Sequence, residues 1–312
     1  LHGYGNCSDV SLNDQVEWKI DPRPLSNAGT DDKTCGQRPY QLNATAQFHN
    51  SIQWTTNGDG SFSNSAILNP TYTPGPVDVN QVVLLTLGLS GCKNLIGDDF
   101  MLLTVHPDPS ATIGGSTTEC EATPVTLNIA FTGTPPWDVT YTNGITSETV
   151  TGIGSSPYVF NVTPGVTTSY WITAANDVYC NAPADSLLGL AFVGINPLPD
   201  LFVVTGSNNG FYCEGDTGIA IGLNNSQVGM TYELLRNGIS TGIVLNGTGS
   251  SLHFGIFPQL GQYAVLGTNP IGNCQAMMRD TVTVVMNPTP VTDFTSNTVC
   301  AGDTTVFIVS GD

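Results

Sequence analysis

Apolar residues in this chain come in short bursts. Runs such as FMLLTV, VTLNIAF, IAIGL and TVTVVM alternate with polar positions and are set apart by NGDG, TNG, RNG and SNNG. Period-two alternation between Gly/Asn turn signals predicts β-strands, and no segment keeps the 3.6-residue period of an amphipathic helix. The expectation is an all-β chain with very little helix.

The strand pattern repeats. Pro-x-Pro occurs at Pro22/Pro24, Pro107/Pro109, Pro197/Pro199 and Pro288/Pro290, at intervals of 85, 90 and 91 residues, each time after a β-type run. Proline cannot donate to a sheet ladder and fixes φ, so each copy ends a last strand and stiffens a link. A fixed period of this length marks an array of modules. The order implied is 1–22 as the end of a preceding module, 23–107, 108–197 and 198–288 as three complete modules, and 289–312 as the start of a following one.

The cysteines give a second ruler. Cys7, Cys35, Cys92, Cys120, Cys180, Cys213, Cys274 and Cys300 are separated by 28, 57, 28, 60, 33, 61 and 26 residues, so short and long gaps alternate. No CxxC pair exists, which removes zinc-ribbon and thioredoxin-type chemistry. A gap near 60 is what a disulfide across an immunoglobulin-type sandwich spans. The spacing therefore predicts one bridge per module, Cys35–Cys92, Cys120–Cys180 and Cys213–Cys274, with Cys7 and Cys300 as half-bridges to modules beyond. The second cysteines sit among Gly and Asn (GNC, SGC), which places the bridge at one end of each sandwich. Disulfides imply an oxidising, extracellular compartment.

Composition narrows the partners. The net charge of −18 reflects only 7 Lys and Arg against 25 Asp and Glu, with no basic cluster, so nucleic acid and anionic membrane surfaces are poor partners. No apolar run approaches the 18 residues of a spanning helix, so membrane insertion is not expected. The chain opens at Leu1 without an initiator Met or signal peptide, which reads as part of a longer precursor.

Longer strings then become recognisable. Cys35 opens CGQRPYQLNATA, followed by SIQWTTNGDGSFSN with Trp54; Cys120 opens CEATPVTLNIAFTGTPPWDVTYTNG with Trp137, followed by SSPYVFNVTPGVTTSYWIT. These strings resemble the Ig-like/PKD-like tandem repeats of very large Bacteroidota cell-surface adhesins, which include gliding-motility-associated substrates of type IX secretion. The third module departs most, with Tyr232 in MTYELL where the others carry Trp. The resemblance implies tandem Ig-like β-sandwich modules in a linear array. It also implies a secreted structural stalk or filament with neighbouring modules, and other copies in a fibre, as partners. Adhesion to an extracellular surface or glycan would reside in a tip outside this segment.

Residues that could carry chemistry are sparse. G-x-S-x-G, H-E-x-x-H, G-x-x-x-x-G-K-[ST] and G-x-G-x-x-G are absent, and His2, His49, His106 and His253 do not recur between modules, so no enzyme is expected. Asp31/Asp32, Asp98/Asp99 and Asp59 raise Ca²⁺ as a ligand, but without a DxDxDG loop solvated turn carboxylates are the plainer reading. No other cofactor is implied. Trp171 in SYWIT points away from the face shared by Tyr170 and Ile172, as a glycan-stacking residue would; packing against a neighbouring loop is the alternative. Ser186, Thr281 and Thr304 follow Asp in the pattern of Bacteroidota O-glycosylation, and Ser186 and Thr281 both precede a last strand. N-x-[ST] sequons at Asn6, Asn43, Asn161, Asn224 and Asn246 are the ordinary yield of an Asn/Thr-rich chain. The rival to a stalk is a set of accessory or glycan-binding modules of a secreted polysaccharide-degrading enzyme.

Overall fold

The structure, a computed structural model, describes residues 22–91, 95–289, 293–295, 301 and 308–310. Cys7, Cys92, Cys300, Thr304, His2 and Asn6 lie outside the described residues.

Three β-sandwiches follow one another, each around its own core. In the first, a sheet ordered Asp32–Cys35, Ile96–His106, Gln81–Ser90, Ser51–Thr56 covers two small sheets: Leu25–Asn27 with Thr45–Gln47, and Tyr40–Gln41 with Thr71–Thr73 and Ser61–Phe62. The second packs Thr117–Cys120, Ala191–Asn196, Thr168–Asn176, Trp137–Thr142, Ser147–Ile153 against Tyr158–Val162, Val125–Thr132, Ser110–Gly114, Leu187–Leu188. The third packs Phe211–Cys213, Val282–Asn287, Gly261–Asn269, Thr231–Arg236, Ile239–Asn246 against Val204–Gly206, Ile219–Leu223, Leu252–Phe257. In this third sandwich Cys274–Met277 adds a short pairing to Gly261–Asn269. Among the described residues the only helical turns are Ala184–Ser186 and Ser207–Gly210.

Strand alternation explains the cores. Val83, Leu85, Leu87 and Leu89 line the inner face of one long strand and meet Met101, Leu103 and Val105 of its neighbour. Leu127, Ile129 and Phe131 face Val139, Tyr141, Tyr170 and Ile172 in the second sandwich. Ile219, Ile221 and Leu223 face Tyr232, Leu234, Tyr263 and Val265 in the third. The aromatic expected between the two cysteines of each module is central. Trp54, Trp137 and Tyr232 are all buried, and the indoles donate to Leu68 O (3.1 Å) and Thr132 O (3.0 Å). Burying the ring while satisfying its N–H is what makes Trp acceptable there.

Strand polarity fixes where each cysteine goes. The strand that ends in the first cysteine runs parallel to the last strand of its sandwich, so Cys35 lies opposite His106, Cys120 opposite Asn196 and Cys213 opposite Asn287. Each of those partners immediately precedes a Pro-x-Pro link. The strand before the second cysteine is antiparallel to the last strand, as Tyr170↔Ala191 and Tyr263↔Val282 show. It therefore delivers the second cysteine to the opposite end, a nine-residue strand of about 30 Å away.

Candidate functional site

The bridges that form are Cys35–Cys180 and Cys120–Cys274, with Cα–Cα distances of 5.9 and 5.5 Å and sequence separations of 145 and 154. Each links the first cysteine of one sandwich to the second cysteine of the next. The expected pairs Cys35–Cys92, Cys120–Cys180 and Cys213–Cys274 are thereby overturned, since Cys35, Cys120, Cys180 and Cys274 bond elsewhere and Cys213 is unpaired and exposed. The reason is the polarity just described: within the second and third sandwiches the two cysteines sit at opposite ends. At a joint, the trailing end of one sandwich and the leading end of the next bring a first and a second cysteine together. The bridges lie at sandwich ends, but each joins two sandwiches, where a clamp within one sandwich was expected.

The first-cysteine turn is built alike three times. The amide after the cysteine donates to the last residue of the last strand: Gly36 N to His106 O (2.7 Å), Glu121 N to Asn196 O (2.9 Å), Glu214 N to Asn287 O (3.0 Å). The cysteine carbonyl then accepts from the amide three residues on, Arg38 (3.1 Å), Thr123 (3.1 Å) and Asp216 (3.0 Å). Such a fixed turn presents the sulfur at the sandwich end without needing a core around it.

At the first joint, Arg38 Nη2 contacts Asp108 Oδ1 in the link (2.7 Å) and donates to Asn181 O in the next sandwich (2.6 Å). Tyr179 stacks on His106 with ring centroids 3.8 Å apart and planes 7° apart, and Lys33 Nζ lies 5.1 Å from the Tyr179 centroid. The loop is shaped by Asp177, itself buried, whose carboxylate accepts from Thr134 N (2.9 Å), Tyr179 N (2.8 Å) and Cys180 N (2.7 Å). At the second joint, buried Asn269 takes that place: it accepts from Ile271 N (3.0 Å) and donates across the joint to Pro197 O (2.9 Å). Gly272, at φ +78°, lies against the Asn196 amide, where a Cβ would come within 2.1 Å of Nδ2. A side chain there would be strained by both backbone and contact.

These joint residues were not legible as a set. Arg38 and Asp108 look like ordinary surface charges 70 residues apart, and the loops NDVYCN and NPIGNC share little beyond their first Asn and their cysteine. The signal available was Cys against Pro-x-Pro, since every first-cysteine strand pairs with a strand ending at that proline.

The acids do other work. Asp78, only 2% exposed, accepts at Oδ2 from Tyr72 OH (2.6 Å), Gly75 N (3.0 Å) and Gly60 N (3.1 Å), and at Oδ1 from Asp59 N (3.0 Å). Burial pushes its carboxyl up, but the Tyr72 hydroxyl and the three amides outweigh that and hold it below the ordinary value. Burial, then donation to Asp78, pushes the Tyr72 hydroxyl up to about 12. Asp59 accepts from Val77 N and Asp78 N, Asp31 from Leu102 N, and Asp99 from Ala28 N. These carboxylates fasten turns, and no group of three Asp, Glu, His or Cys side chains arranged to hold a metal occurs among the described residues.

Trp171 does face outward, 38% exposed, between buried Tyr170 and Ile172. It stands opposite Thr142 and lies over Gly144, against a turn of its own sandwich. Phe192, opposite Ser169 on the adjoining strand, is exposed on the same face. Ser186 and Thr281, expected at equivalent places before a last strand, are not equivalent. Ser186 ends a helical turn leading to Leu187–Leu188 in the opposite sheet, whereas Thr281 is exposed, immediately precedes the last strand, and accepts from Gln262 Nε2 (3.0 Å).

No known family matches the chain, and neither does any curated protein. Among solved structures, an I-band fragment of titin is similar at 10% identity and TM-score 0.51, covering 85% of this chain and 99% of the fragment. A Glu-to-Ala variant of a three-immunoglobulin-domain titin segment is similar at 12% and TM-score 0.49, with 85% and 99% coverage. A structure of a 1.5-MDa bacterial ice-binding adhesin, concerned with retention on a host cell surface, gives 11% and TM-score 0.32, covering 86% of this chain and 100% of that one. At 10% identity the likeness to the titin I-band fragment is one of fold: tandem immunoglobulin-type sandwiches.

Proposed function

We propose that this chain is a segment of the structural stalk or filament of a large, secreted, cell-surface adhesin, with modules at 23–107, 108–197 and 198–288. The observation that carries the reading is that both disulfides cross a joint. A bridge inside a module would protect that module; a bridge between modules fixes their relative orientation, which matters when the array itself is the functional object. Short Pro-x-Pro links and the Arg38–Asp108–Asn181 and Asn269–Pro197 contacts support the same end. Disulfides place the segment in an oxidising, extracellular setting. A role in bacterial attachment or gliding, with export by type IX secretion, follows from the resemblance of the repeat strings.

Small-angle scattering of the segment before and after mild reduction tests this. A narrow, elongated distance distribution that broadens on reduction is expected. No change on reduction would remove the stiffening role.

A second reading rests on Trp171 and Phe192 sharing an exposed face: glycan-binding accessory modules of a secreted polysaccharide-degrading enzyme. Binding on a glycan array that disappears in Trp171→Ala would favour it. O-glycans at Ser186 or Thr281 belong to the stalk reading and would show in the intact mass of native material.

A further inference from the structure

We infer that the trailing end of the third sandwich is a seat for a further sandwich of the same kind, which closes a disulfide with Cys213. The seat is built three times and occupied twice, whatever the array serves. Cys213 lies opposite Asn287 as Cys120 lies opposite Asn196 and Cys35 opposite His106. The amide after each cysteine and its carbonyl make the same two hydrogen bonds in all three. In the first two, the sulfur is bonded to a buried cysteine of the next sandwich, Cys180 or Cys274. In the third, the same turn leaves Cys213 exposed.

The third seat matches the second in detail. Both carry Cys-Glu, with Glu121 and Glu214, and both end their last strand in Asn ahead of Pro-x-Pro. Asn196 packs on Gly272, two residues before Cys274. Asn287 therefore calls for a partner loop with glycine two residues before its cysteine. By the separations of the two bridges that exist, that cysteine lies 145 to 154 residues beyond Cys213. Bond formation takes one proton from each thiol and passes two electrons to a protein disulfide or glutathione disulfide, which is reduced to two thiols.

Native full-length protein, treated with N-ethylmaleimide, denatured and digested without reduction, gives the test by mass spectrometry. The expected peptide joins Cys213 to a downstream cysteine at that distance, with glycine at the second position before it. Cys213 carrying maleimide, bonded to Cys274 or Cys300, bonded to Cys213 of a second copy, or bonded to a cysteine at another distance would overturn the inference.

Discussion

Asp78 and Tyr72 show what single polar residues do in a chain with few charges. The carboxylate gathers three backbone amides and a phenol, so Asp78→Ala leaves those donors without an acceptor in a buried place. A loss of about 3 kcal/mol in the first sandwich is expected by denaturant titration. Tyr72→Phe removes one charge-assisted bond and is expected to lose about 1.5–3 kcal/mol. The pH sign follows from the shifts. Asp78 is held below its unfolded value of ~3.9, so its contribution is full above that value and is lost as pH falls through the folded one. Tyr72 is raised, so its contribution is full below ~10 and is lost as pH climbs towards about 12. In Tyr72→Phe, acid unfolding monitored by tryptophan fluorescence should begin at higher pH, because Asp78 has lost a donor that favoured its ionised form. Core aromatics such as Trp54 and outward Trp171 could be read from alternation, because burial on a strand is a local property. The acceptor role of Asp78 could not, since the amides of Gly60 and Gly75 meet it only after the turn closes.

At the scale of elements, the joint is the unit that spacing alone could not resolve. With modules about 90 residues apart, a gap near 60 and a gap one period longer leave the same alternating pattern of cysteines. Strand direction breaks the tie: the parallel first-cysteine strand leads towards the link, and the antiparallel strand before the second cysteine leads away from it. The strands, the Pro-x-Pro punctuation and the repeat were legible because they are local or periodic; the pairing depends on which end of a sandwich each strand reaches. A protease site placed at Leu198, between Pro197 and Pro199, should therefore give a single cut whose fragments stay together on a denaturing gel until reductant is added. Separation without reductant would mean that no bridge crosses that link. Gly272→Val should also weaken this joint, by about 1–2 kcal/mol, through its positive φ and its contact with Asn196. Faster reduction of Cys120–Cys274 in the variant is the readout.

For the whole molecule, the two bridges make the second sandwich share a covalent loop with each neighbour. In the chain-entropy treatment, closing loops of 145 and 154 residues is worth up to about 5 kcal/mol each. That stabilisation belongs to pairs of sandwiches, so calorimetry should show coupled melting in the oxidised chain and more nearly independent transitions after reduction. Maximum extension is a poor discriminator. At ~3.4 Å per residue the longest pull is roughly 460 Å for either pairing, against about 1,060 Å for the reduced chain. What differs is the joint, which is free to hinge with bridges inside modules and held when they cross it. The direct measurement is disulfide mapping of the oxidised chain by mass spectrometry after digestion under thiol-blocking conditions. The account predicts peptides joining Cys35 to Cys180 and Cys120 to Cys274. Peptides joining Cys35 to Cys92, Cys120 to Cys180 and Cys213 to Cys274 would contradict it.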